Sequence, residues 1–181
     1  MSTSEFNWGI RDFYNSALKY DFGRTHQLRI LEWQQFGNSV FSGSSLPLYL
    51  ETASLPGKEI SNIVIPYAGM NYNIPGMTSY TGASLPVVFR CDSNYNILSI
   101  FESYMQDTHD DENSNGRISA PGEDSYLILT LIGKDLKPVK SYKMIGTSIH
   151  KLGPIQYNLG DSGTITKIDA TLTYHYWRTL S

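Results

Sequence analysis

Prolines and glycines punctuate the middle of this chain so regularly that they dictate its local structure. Between residues 46 and 105 the order runs Leu46-Pro47, Leu55-Pro56-Gly57, Ile65-Pro66 followed by Gly69, Ile74-Pro75-Gly76, then Leu85-Pro86. A proline fixes its own φ and holds the residue before it extended, and a glycine just after permits a sharp turn. The segment therefore reads as strand, turn, strand, turn, strand, delivered into one helix. That helix is predicted over 94–106, where Ile97, Leu98, Phe101, Tyr104 and Met105 share a face, with Asp92 or Ser93 as its cap.

The flanking regions extend the same β-rich pattern. Residues 2–20 read as a short amphipathic helix, with Ser2 and Glu5 fitting a capping box and Phe6, Ile10, Phe13, Tyr14, Ala17 and Leu18 on one face. Strands are predicted at 25–36, 46–54, 58–67, 85–91, 126–133, 139–146, 149–159 and 164–177. Residues 69–84 read as a long Gly- and Asn-rich connection. In the last strand Ile168, Ala170, Leu172, Tyr174 and Tyr176 alternate with Lys167, Asp169, Thr171, Thr173 and His175. Alternation kept up that far predicts a strand of about 12 residues, roughly 40 Å long, against a usual five or six. A wall shared between subunits has use for such a strand. The whole chain of 181 residues is expected to be one domain, with an N-terminal arm at 1–22 and a β-barrel or β-sandwich at 23–181.

Thirteen tyrosines among only 17% charged residues favour strands and half-buried contact surfaces. Fourteen basic against 17 acidic residues leave a net charge of −3, which argues against tracking of nucleic-acid phosphates. A single cysteine, Cys91, allows no internal disulfide and suits a reducing compartment. The N-terminus shows no basic and apolar leader, and no apolar run reaches membrane-spanning length, so neither export by a signal peptide nor membrane insertion is expected.

Catalytic and metal-binding patterns do not assemble. Asp111 to Gly116 matches the first half of a calcium loop, but the bidentate Glu required at position twelve is Gly122. Asp107, His109, Asp110, Asp111 and Glu112 read together as a solvated acidic turn. His26, His109, His150 and His175 are scattered without metal-ligand spacing. Gly146-Thr147-Ser148-Ile149-His150 lacks the closing glycine of a nucleophile elbow, and no phosphate-cradling glycine motif is present. No catalytic residue, metal or cofactor is expected, and the chain reads as a non-enzyme.

The order Leu55-Pro56-Gly57, Ile65-Pro66-x-x-Gly69, strand 85–91, a helix with Phe101 and Tyr104, and the closing Leu172-Thr173-Tyr174-His175-Tyr176-Trp177 resembles the tail tube proteins of contractile-tailed bacteriophages. The resemblance covers roughly 46–177. The chain departs from the family pattern in carrying Tyr104 where Trp is frequent and in longer loops at 37–45 and 112–125. The resemblance implies a mainly β fold, a small barrel or sandwich of about seven or eight antiparallel strands with one flanking helix. It further implies homohexameric rings stacked into the inner tube of a contractile tail. The implied partners are further copies of the chain, the tail sheath protein, and baseplate and tube-terminator proteins. Phage DNA and the tape-measure protein would occupy the lumen without sequence-specific binding, in a virion assembled in the host cytoplasm.

Subunit contacts are expected at Leu55, Pro56 and Gly57, and at Met70, Tyr72, Ile74, Pro75, Gly76, Met77 and Tyr80, since one small core would hardly absorb the apolar residues of 69–84. Lys167, Asp169, Thr171 and Thr173 are expected to face lumen or solvent. The neighbouring alternatives are a tube-initiator or baseplate protein and a secretion-system tube subunit. From another class, a carbohydrate-binding sandwich would use the Tyr and Trp rings as its platform.

Overall fold

The computed structural model describes residues 9–19, 27–40, 49–80, 83–116, 120–158, 160 and 163–180. Helix α1 (Ile10–Lys19) precedes strands β1 (Leu28–Gln35), β2 (Asn38–Ser39), β3 (Leu50–Ala53), β4 (Glu59–Tyr67), β5 (Met70–Ser79) and β6 (Ser84–Arg90). Helix α2 (Asn96–Thr108) runs directly into a two-residue ladder of β7 (His109–Asp110) with β8 (Asn115–Gly116). The chain then forms β9 (Tyr126–Ile132), β10 (Pro138–Ile145), β11 (Ser148–Leu152), β12 (Lys167–Thr173) and β13 (Tyr176–Leu180).

Two antiparallel sheets make the body, one ordered β13-β10-β9-β1-β2 and the other β11-β12-β6-β3. Each turns one face inward. Ile30, Trp33, Leu127, Leu129 and Met144 come from the first, and Leu85, Val87, Phe89, Ile168, Ala170 and Leu172 from the second, to form a single core. This is a sandwich, and no closed barrel forms among the described residues. Helix α2 covers one side by burying Ile97 and Phe101. Phe101 meets Phe89 edge-on at 5.2 Å and Trp33 at 5.7 Å, while Trp33 stacks on Phe89 at 6.0 Å. Three fully buried rings thus join both sheets and the helix, each contributing about 1.5–3 kcal/mol by burial. On β9, four consecutive residues from Leu127 to Thr130 are buried, as its near-continuous apolar run predicts.

Several boundaries differ from the sequence expectations. Helix α2 starts at Asn96, with Tyr95 at its N-cap in left-handed backbone, φ 56°, and no side-chain cap bond. Asp92 acts one turn earlier, accepting the Asn96 side-chain amide at 2.7 Å. The strand expected at 149–159 ends at Leu152. In α1 the described side chains of Ile10, Phe13 and Tyr14 are exposed, and Ser2, Glu5 and Phe6 lie outside the described residues.

The long closing strand is the largest correction at the C-terminus. Period two does run from Lys167 onward, with Ile168, Ala170 and Leu172 buried, but β12 stops at Thr173 and the chain changes sheets. The Tyr174 amide donates to Ala83 O and the His175 amide to Ile145 O, which steers β13 onto β10. Gly146 makes the corner possible: its φ is +69°, and a Cβ there would overlap the His175 ring. Tyr176 consequently stands 37% exposed instead of continuing the core row.

Candidate assembly surface

Within the connection expected at 69–84, residues 70–79 form strand β5. Ala68 and Gly69, with φ of 48° and 80°, form a two-residue turn of the mirror-image type that suits strand twist, and β5 returns along the whole length of β4. Asn71, Asn73, Pro75 and Gly76 carry turn chemistry in sequence, but here they sit in a ten-residue strand. The resulting β4–β5 hairpin extends the ribbon begun by β3 and β6, which pair with each other in the four-stranded sheet.

The cross-strand register sorts the hairpin into two unlike faces. Ile63 opposes Ile74, Ile65 opposes Tyr72, and Tyr67 opposes Met70, all on one side. Val64 with Asn73, Pro66 with Asn71, and Asn62 with Pro75 occupy the other. An apolar face of that kind normally lies against a core. Here every residue of β4 is exposed, and so is every residue of β5 except the half-buried Gly76. Tyr67 is 78% exposed, Met70 74% and Tyr72 68%. No residue from Ile60 to Ser84 carries a charge. A two-stranded ribbon is marginal by itself, and an exposed apolar stripe with polar surroundings marks a contact surface.

Counted from the turn, the pair Tyr67–Met70 exchanges the first ladder bonds, so Pro66 and Pro75 fall at positions whose amides would point outward. Each proline therefore spares the hairpin's internal bonds and deletes one donor from an open edge. Where Ser61 opposes both Gly76 and Met77, a bulge further disrupts the β5 edge.

Among the other residues expected to make contacts, Leu55 is 41% exposed and Pro56 half-buried, in the irregular 54–58 stretch at the hairpin's root. Gly57 accepts a hydrogen bond from the Trp177 indole, and Tyr80 packs edge-on against Tyr174 and Trp177. Met77 is 83% exposed near the root. Ile63, Ile65 and Tyr67 complete the apolar face without having been singled out. Their signal was the alternation of 63–67 read together with 70–74 across a two-residue turn.

The outer face of the four-stranded sheet is polar. Lys167 and Asp169 are exposed and Thr171 and Thr173 half-buried along β12, and the Thr173 hydroxyl bonds that of Ser148 at 2.8 Å. Glu51 lies between two cations, 2.6 Å from Lys167 Nζ and 3.6 Å from Arg90 Nε. The hydrogen bond from Lys167, aided by both positive charges, holds its carboxyl below the usual range. The acidic turn after α2 is organised by Asp110, which accepts bonds from the Asn113 side chain and the Glu112 amide. The Asn113 bond is the larger cause of the lowered Asp110 pKa.

A family model described as "Phage tail tube protein" matches residues 20–180. No curated protein matches the sequence. Among solved structures, the chain is similar to one from the anti-feeding prophage cap, described as a tube-terminating cap, at 10% identity and TM-score 0.62. That match covers all of this chain and 99% of the other. It is similar to a chain of the sheath-tube complex of an extracellular contractile injection system, at 8% identity and TM-score 0.61, covering 92% and 97%. A chain from the sheath/tube terminator of the same kind of system matches at 11% identity and TM-score 0.54, over 73% and 85%.

Proposed function

The chain belongs to the phage tail tube protein family, structural proteins and not enzymes, and from that premise we propose that six copies close into a ring and rings stack into the inner conduit of a contractile tail. The observation that carries this reading is the exposed apolar face of the β4–β5 hairpin, which has the composition of a core and no cover within its own subunit. A neighbouring copy supplies that cover, through Met70, Tyr72 and Ile74 with Ile63, Ile65 and Tyr67. Because the surface receiving the hairpin differs from the hairpin itself, the contact is heterologous, the kind that generates rings and filaments.

In this arrangement each subunit contributes its four-stranded sheet to a shared inner wall, with Lys167, Asp169, Thr171 and Thr173 toward the lumen. Twenty-four strands near 4.8 Å apart, tilted about 45°, enclose a backbone diameter of roughly 50 Å, wide enough for duplex DNA. Glu51 offsets one of the two positive charges of Lys167 and Arg90 on that face, and six subunits at −3 each carry −18 per ring. Like charge keeps DNA from adhering to the wall during ejection. The sheath protein binds outside, and baseplate and terminator proteins bind at the ends. The likeness to sheath-tube and tube-terminating chains supports these partners.

Electron microscopy of the purified protein tests the reading. Six-fold rings that stack on both faces are the expected result. Rings that stack on one face only would make this subunit a tube end, and a persistent monomer at high concentration would sink the proposal.

A further inference from the structure

The β4–β5 hairpin leaves the sandwich through the 54–58 stretch on one leg and Tyr80 on the other, and two strands of chain alone would let it swing. A ring cluster grips both legs at that point. Trp177, on β13 of the five-stranded sheet, donates its indole N–H to Gly57 O at 3.3 Å on the first leg. Its ring lies 6.4 Å from Tyr80 on the second leg, at 68°. Lys58, the residue before β4, places its ammonium 5.8 Å from the Trp177 ring and 6.0 Å from the Tyr80 ring, within cation–π range of both. Behind Trp177, Tyr142 on β10 packs edge-on at 5.6 Å, and behind Tyr80 the buried Tyr174 packs edge-on at 6.3 Å. Four rings therefore run from the core, across the root of the hairpin, to the opposite sheet.

We propose that Trp177 is the positioning residue of the hairpin: with Lys58, Tyr80 and Tyr142 it clamps both legs and fixes the angle at which the apolar face is presented to the next subunit. The use of that angle rests on the hairpin being the subunit contact, as proposed above; the clamp itself rests only on the packing within one chain. The cluster suits the task because it takes Trp177 and Tyr142 from two neighbouring strands of the five-stranded sheet and backs Tyr80 with Tyr174, just past the end of β12, so the hairpin is aligned to the sandwich as a whole and not to a single strand. The indole–carbonyl bond adds a directional restraint that ring packing alone lacks.

Hydrogen exchange on the full-length subunit, held dilute enough to stay unassembled, separates the clamp from its use. Trp177→Leu is expected to speed exchange of amides in 59–79 by about tenfold while β9 and β12 keep wild-type protection, the pattern of a local opening. Trp177→Phe, which keeps a ring and loses the donor to Gly57, should fall between. Lys58→Ala changes only an exposed side chain and leaves the core intact, so it gives an answer even if Trp177→Leu fails to fold; it too should speed exchange in 59–79. Wild-type hairpin exchange in both Trp177→Phe and Lys58→Ala would overturn the proposal. Tube formation by the same variants is read separately. A loosened hairpin with lost tubes supports the clamp and the contact together. A loosened hairpin with normal tubes keeps the clamp and refutes the hairpin as the subunit contact.

Discussion

On β12 the neighbours Thr171 and Leu172 face opposite ways, and the same substitution in each has opposite consequences. Leu172 is fully buried between β6 and β11, so Leu172→Asp leaves a charge without a partner in the core and costs about 3–5 kcal/mol. Thr171→Asp should stay within about 0.5 kcal/mol of wild type, as substitutions away from the core do. Urea denaturation of both variants checks the register, and equal midpoints would contradict it. Glu51 gives a pH-dependent test of the outer face. Its carboxyl is depressed in the folded state, first by the Lys167 hydrogen bond, so its contribution is complete above the ordinary carboxylate pKa and lost as pH falls through the folded value. Lys167 and Arg90 are each half exposed, which limits the effect to less than about 1 kcal/mol. Glu51→Gln should therefore lower stability at pH 7, and the gap should close as pH falls below about 4.3. A gap that persisted unchanged at pH 3 would show that Glu51 acts by packing and not by charge.

Among the elements, the hairpin is the one whose removal tests the proposed assembly apart from folding. Replacing 62–75 with an Asn-Gly turn links Ser61 to Gly76 through those two residues and removes no residue of the core. The shortened subunit should keep the wild-type thermal midpoint and fail to form rings. Loss of fold would make the hairpin part of the domain's own stability, and normal rings would remove it from the interface. This element also marks where sequence reading stops. Strand β6 and helix α2 were legible because burial imposes its period on their residues, as Leu85, Val87 and Phe89 or Ile97 and Phe101 show, and β9 because burial of Leu127 to Thr130 keeps it apolar almost throughout. Strand β5 is buried on neither face, so nothing in the subunit excludes Asn71, Asn73 or Pro75 from it, and its residues read as a loop. The break between β12 and β13 was hidden for the opposite reason. Alternation continues through Tyr174, His175 and Tyr176, and the change of sheet is imposed from elsewhere, by Gly146 and the bond from the His175 amide to Ile145. Lys58 and Trp177 lie 119 positions apart, and only the folded corner brings them together.

At the scale of the molecule, one sandwich presents a polar sheet face and a protruding apolar ribbon, and the two need different partners. The ribbon also has two open edges, a shape that in a free subunit invites indiscriminate strand addition. Pro66 and Pro75, each placed where its missing amide costs the hairpin nothing, thin out the donors on those edges. Restoring them with a Pro66→Thr/Pro75→Thr double variant should make dilute protein scatter light at once, as irregular aggregate, while wild type at the same concentration stays monodisperse. Immediate scattering by both, or by neither, would rule out a protective role for the prolines. The two prolines thus bear on timing. A ribbon with blunted edges adds poorly to another free ribbon and well to a shaped socket that covers its apolar face. Under the proposed ring assembly, growth should then have a lag that a preformed end abolishes, so that a pool of subunits can build up ahead of the first ring without polymerising in the wrong place.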